Sequence, residues 1–254
     1  MKYTEDGLEL EADPRHVELI VRNLGIEEAK PSMTPGVKET RYKNVRQEEI
    51  EEDLADAEET DGGDEEMKPE DATVYRAVVA RMNYIASDRA DIQYAVKEVA
   101  RNMSKPRARD WRALTRIGRY LKGRPRLIQK YEWQNQMSTA VTYTDSDWAG
   151  CTKTAKSTSG GIVTLGKHVI KSYSRQQKTV ALSSAEAELH AMVAASAETI
   201  GVVGLCKDMG IGIEGRCTLI VMQPSESLND PVRAKLDTSG YRPSGFKKLD
   251  ALVD

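Results

Sequence analysis

Three acidic side chains sit where structured segments end or begin, and their spacing asks what they hold. Asp145 and Asp147 close the run Thr142-Tyr143-Thr144-Asp145-Ser146-Asp147-Trp148-Ala149-Gly150, which is β-prone and alternating. Glu188 lies in Leu182-Ser183-Ser184-Ala185-Glu186-Ala187-Glu188-Leu189, which opens a long helical stretch. In a strand the two aspartates share a face, whereas in a turn beginning at Ser146 they diverge. Ser183 and Glu186 have the Ser-x-x-Glu spacing of a capping box, which gives Glu186 a structural role. Glu188 is about 200° further round the helix at 100° per residue and has no such role, so it is the carboxylate left to bind something. Carboxylates meeting at a strand end and a helix start suit a hard divalent cation, which takes oxygen ligands and keeps waters and substrate phosphates in its other positions. Two such ions about 3.5–4 Å apart would activate water and stabilise the leaving oxygen of a phosphodiester. Surface acids and a helix cap account for the same spacing, and from spacing alone both readings stand.

The elements that must position these residues come in a segregated chain. The net charge of −3 over 254 residues conceals an acidic run at residues 46–71, with fourteen Asp or Glu against Arg46 and Lys68. That composition predicts disorder. Residues 97–130 hold twelve Lys or Arg against Glu98 and Asp110, a density that suits a polyphosphate partner. Asp13-Pro14 followed by Val17, Ile20, Val21 and Leu24, then Gly25, predicts a short capped helix. A connector bearing Pro31 and Pro35 follows. Helices are predicted over Tyr75 to Ala86, Asp91 to Met103 and Asp110 to Lys122. On the last, Trp111, Leu114, Ile117 and Leu121 form the packing face and Arg112, Arg116 and Arg119 the opposite one. The period then turns strand-like at Met137 to Asp145. A hairpin is predicted from Ser159–Leu165, the turn Gly166-Lys167 and His168–Tyr173. A helix from about Ser184 to Met209 ends at Gly210, and Cys217 to Met222 is predicted as a buried strand. Three strands, a helix and a fourth strand make an α/β layer.

Other residues carry less. Cys151, Cys206 and Cys217 lack metal-ligand spacing and are expected as buried free thiols. Ser157, Thr158 and Ser159 are expected as polar turn residues, Trp148 as a seal at the sheet edge, and His190 as a surface or half-buried side chain. No secretory signal or uninterrupted apolar span is evident, so an intracellular protein, cytoplasmic or nuclear and without a membrane partner, is expected.

Five ordered stretches carry a family resemblance: "YRAVVARMNYIASDRADIQYAV", "DWRALTRIGRYLKG", "YTDSDWAG", "KSTSGG" and "TVALSSAEAELHA". Together they resemble the C-terminal part of the Pol polyprotein of copia-type LTR retrotransposons, from the end of the reverse transcriptase through the connection into ribonuclease H. The likeness covers residues 73–215 well and 3–40 more loosely. It implies an α/β fold with a ribonuclease H-like mixed sheet, and hydrolysis of the RNA strand of an RNA/DNA hybrid with Mg²⁺, Mn²⁺ being the alternative ion. By the match, Asp145 corresponds to the first-strand catalytic aspartate and Glu188 to the helix glutamate, both metal-binding. A nucleic-acid-binding remnant using Arg112, Arg116, Arg119, Lys122 and Arg124 is the competing reading. The implied organisation is a reverse transcriptase remnant at 1–40, an acidic linker at 41–72, a helical connection at 73–134 and a truncated ribonuclease H-like domain at 135–222. Residues 223–254 match nothing and are expected as a disordered tail left by truncation or a frame change. The family's third catalytic aspartate ends the fourth strand, where this chain reads Leu219-Ile220-Val221-Met222-Gln223-Pro224, without an acid. The polymerase palm and its paired aspartates are absent.

Overall fold

The computed structural model describes residues 1–36, 65–135, 137–151 and 153–220. Chain contacts separate Met1–Leu219 from Ile220–Asp254, and every element below belongs to the first unit. Most of the acidic run and the expected tail lie outside the described residues, and so do the expectations placed on them.

The N-terminal strands β1 (Lys2–Thr4) and β2 (Gly7–Glu11) pair antiparallel, and β2 pairs in turn with β3 (Ile128–Glu132). None of these three was predicted. Between them lie α1 (Arg15–Leu24), α2 (Pro69–Ala86), α3 (Gln93–Ala100) and α4 (Ala108–Gly123). Helix α1 ends as predicted, with Gly25 left-handed at φ 64°. Helix α2 begins six residues before the expected start because Pro69 fits a first helical position and Glu70 and Asp71 complement the helix dipole. Residues 69–72 are therefore helical and not linker. Helix α3 is shorter than predicted, since the chain turns at residues 101–104. Val17, Ile20, Tyr75, Val78, Met82, Ile92, Val96, Leu114, Ile117 and Leu121 form one buried core shared by all four helices. Gly118 allows the tight approach of α1 to α4: a Cβ there would stand 2.6 Å from Leu24 Cδ1 and 2.7 Å from Ile26 Cδ1.

The largest fully buried side chain is charged. Arg89, 2% exposed, donates Nε and Nη2 to the two carboxylate oxygens of Asp91 at 2.9 and 2.8 Å, and Nη2 also donates to the Arg124 carbonyl at 3.0 Å. Tyr120 Oη donates to the same carboxylate at 3.0 Å. A buried guanidinium persists only with such complete pairing.

The second layer is a mixed sheet in the order β6-β5-β4-β7. Strands β4 (Thr139–Asp147), β5 (Thr158–Leu165) and β6 (His168–Gln176) run antiparallel to their neighbours, and β7 (Glu214–Leu219) lies parallel to β4. The hairpin turns at Gly166, φ 61°, as predicted. Strand β7 starts three residues before the expected Cys217 and is exposed over its first half, so the buried strand is corrected to an open edge. Helix α5 (Ser184–Asp208) covers one face through Ala187, Ala191, Ala195 and Thr199. Thr142 and Thr199 bond hydroxyl to hydroxyl at 2.6 Å in that seam. By length and composition α5 could also cross a membrane, and Leu189, Val193, Ile200 and Leu205 on its outer side are exposed.

Candidate functional site

Strand alternation decides where Asp145 points. Thr142 and Thr144 are buried beneath α5, with Thr144 Oγ1 reaching the Ala191 carbonyl at 3.4 Å. Ser146 follows the same parity and its Oγ is buried without a partner among the described residues. Asp145 therefore leaves the strand on the other face, alongside exposed Tyr143. Partial burial of its carboxyl raises its pKa, and the Asp147 charge adds to that, against a backbone hydrogen bond from Ser146 that lowers it.

Glu188 sits in the first turns of α5, level with the end of β4. The helix start is capped as predicted at Ser183, whose Oγ accepts from the Glu186 amide at 3.1 Å. The return bond differs from the expected box, because Glu186 Oε2 accepts from the Leu182 amide at 2.7 Å, one residue before the cap. Glu188 has no hydrogen bond or ion pair among the described residues and is half-buried. Trp148 Nε1 donates to the Ala181 carbonyl at 3.1 Å and so fastens the end of β4 to the segment leading into α5. Asp145 and Glu188 thus stand on elements that meet at the same end of the sheet. Among the described residues no group of three or more His, Cys, Asp or Glu stands close enough to hold a metal ion. The donors are hard oxygens, right in kind for Mg²⁺, but short in number for a closed centre.

The serine and threonine residues after the loop have structural partners. Ser157 Oγ accepts from the Ala149 amide at 3.0 Å, Ser159 Oγ accepts from Gln177 Nε2 at 3.0 Å, and Thr158 Oγ1 accepts from Lys97 Nζ at 2.9 Å. His190 Nδ1 lies 3.4 Å from Gln177 Oε1 and is half-buried.

The basic residues of α4 face the connector more than open solvent. Arg119 Nε donates to the Lys30 carbonyl at 2.6 Å, Lys122 Nζ to the Ala29 carbonyl at 2.7 Å and to that of Glu27, and Arg116 Nη2 to Thr34 Oγ1 at 2.8 Å. Arg124 Nη1 reaches the Met33 carbonyl at 3.3 Å, and Arg112 is exposed. Sequence pattern showed their shared face but not what occupies it, because the occupant lies about 90 residues away in the chain.

Known proteins share about half of this chain. The retrovirus-related Pol polyprotein from transposon RE2 of Arabidopsis thaliana is 39% identical over 141 residues, 56% of this chain and 10% of the relative. Over that span the chain is similar to copia-type Pol polyproteins. An uncharacterized mitochondrial protein of Arabidopsis thaliana is 37% identical to this chain over 128 residues, 50% of the chain and 53% of that relative. A secreted RxLR effector protein of Plasmopara viticola is 36% identical over 127 residues, 49% of the chain and 87% of that relative. The chain spans about a tenth of the transposon relative and about half of the mitochondrial one. No protein-family model and no solved structure matches it.

Proposed function

We propose that this chain carries a ribonuclease H-like domain that ancestrally hydrolysed the RNA strand of RNA/DNA hybrids during reverse transcription and is now catalytically impaired. The observation that supports it most is positional: Asp145 lies two residues from the end of β4, flanked by antiparallel β5 and parallel β7, and Glu188, without a hydrogen bond or ion pair among the described residues, lies in the second turn of the helix between β6 and β7. A mixed sheet is what the family resemblance implies. Impairment follows from number. Leu219 ends β7 opposite Thr144, and neither Leu219 nor any residue to Pro224 is acidic. Groups that act as one catalytic unit are so non-additive that losing one removes most of the rate. When bound, Mg²⁺ would supply water activation and charge stabilisation. Asp145 and Glu188 are the side chains that would hold it.

The test is cleavage of a labelled RNA/DNA hybrid by the full chain with Mg²⁺ or Mn²⁺. Weak cleavage lost in both Asp145→Asn and Glu188→Gln supports residual catalysis at this site. Cleavage that survives both variants refutes it. The missing third acid favours a second reading, a noncatalytic nucleic-acid-binding remnant. Binding without turnover and with a steep salt slope distinguishes it, since neutralised phosphates release counterions.

A further inference from the structure

Resting on the nucleic-acid reading above, we propose that the phosphate backbone of a bound hybrid strand follows the trough between α3 and β6 to Asp145, and does not follow α4. The register builds this path. Asp145 pairs with Gly160 on β5, and Gly160 pairs with Ser174 on β6, so the three form one row on the sheet face that α5 leaves uncovered. At about 4.8 Å per strand, Ser174 lies roughly 10 Å from Asp145. Gly160 alone stands between them and contributes no side chain. A Cβ built on Gly160 would meet nothing nearer than the Tyr173 carbonyl at 4.0 Å, so the floor of the row is open.

Beyond Ser174 the row enters an open groove of about 520 Å³, lined by Asn83, Lys97, Arg101, Ser172 and Ser174 among others, with the Arg175 guanidinium turned to Glu198 of α5 at 2.7 Å. Hydroxyls and amides beside Lys and Arg are the groups that contact phosphate without reading sequence. The groove cations are held in place along the path. Lys97 Nζ rests on Thr158 Oγ1 at 2.9 Å, in the row next to Asp145, and on Glu98 at 2.8 Å, while Arg101 donates to Glu98 and to Cys151 Sγ at 3.0 Å each. On α4 the connector carbonyls already accept from Arg119, Lys122 and Arg124. Cations on both paths have partners within the protein, and what the trough has beyond α4 is its hydroxyls and a clear floor on the face by which Asp145 leaves the sheet.

The experiment measures affinity of the full chain for a labelled RNA/DNA hybrid as salt is varied. Lys97→Gln combined with Arg101→Gln is expected to weaken binding about tenfold and to lower the salt slope by about two. Gly160→Val places a side chain on the floor at a strand position that accepts a β-branched residue, and is expected to weaken binding comparably while the thermal midpoint holds. This variant decides the matter even where the charge variants disturb folding. Arg112→Gln and Arg119→Gln are expected to leave affinity within about twofold. Wild-type affinity in Gly160→Val, or loss confined to the α4 variants, overturns the trough while leaving the nucleic-acid reading intact. A wild-type chain that binds no hybrid at any salt overturns that reading and the trough with it.

Discussion

The indole of Trp148 donates to the carbonyl of Ala181, 3.1 Å away, and joins the end of β4 to the turn from which α5 departs. Trp148 stands three residues after Asp145 and Ala181 seven before Glu188, so this bond ties the two carboxylate-bearing elements together at the end where both acids lie. Trp148→Phe keeps the ring and removes the donor. The expected loss is about 1 kcal/mol of stability, with faster amide exchange confined to residues 182–187. Unchanged exchange in that segment would show that the bond does not hold the helix start.

Asp145 illustrates a conflict between stability and chemistry. Its folded pKa lies above the ordinary 3.8 because partial burial and the Asp147 charge disfavour the ionised form. The sign follows directly: as pH rises through the ordinary value and then the raised one, the folded state becomes less stable relative to the unfolded chain. Asp145→Asn removes that titration. It is expected to raise the thermal midpoint at neutral pH and to flatten the dependence on pH just above the ordinary aspartate value, as a melting series would show. A lower midpoint at neutral pH would contradict this assignment of cause.

Arg89 makes a stronger demand on the fold. Its guanidinium satisfies the Asp91 carboxylate and the Arg124 carbonyl from a fully buried position. Arg89→Met keeps much of the volume but strands a half-buried carboxylate, and is expected to cost about 3–5 kcal/mol in chemical denaturation. Arg89→Met with Asp91→Asn, which also removes the stranded charge, is expected to recover part of that loss. Equal losses in the single and double variants would mean that packing, not charge pairing, accounts for the effect.

These residues also show what local pattern can and cannot reveal. The apolar stripe of α4, the Gly166 turn and the Ser183 cap were legible because each depends on neighbours within a few residues. The pairing of β2 with β3 was not, since Glu9 meets Lys130 across more than a hundred residues of chain. Nor was the fate of Arg119, whose partner carbonyl at Lys30 belongs to a distant connector. At the candidate site, sequence supplied Asp145 and Glu188 as unexplained acids. The face by which Asp145 leaves β4 emerged only when α5 covered Thr142 and Thr144.

Cys151 departs from the expected inert buried thiol. Its Sγ accepts from Arg101 Nη2 at 3.0 Å. Burial raises its pKa, but hydrogen bonds from Thr154 and Arg101 outweigh that and bring it from the ordinary 9.0 down to about 7. A depressed folded pKa stabilises the native state above the unfolded value, and that contribution is lost as pH falls through the folded one. Stability should therefore rise by roughly 1–2 kcal/mol between pH ~7 and ~9. Cys151→Ser should abolish that rise, and Arg101→Gln should move the thiolate absorbance midpoint upward. Because Arg101 also bonds Glu98 at 3.0 Å, Glu98→Gln serves as the control: it removes that ion pair while the Arg101 bond to the thiol remains. A midpoint that moves as far in Glu98→Gln as in Arg101→Gln would assign the depressed pKa to helix α3 as a whole and not to the guanidinium on the sulfur.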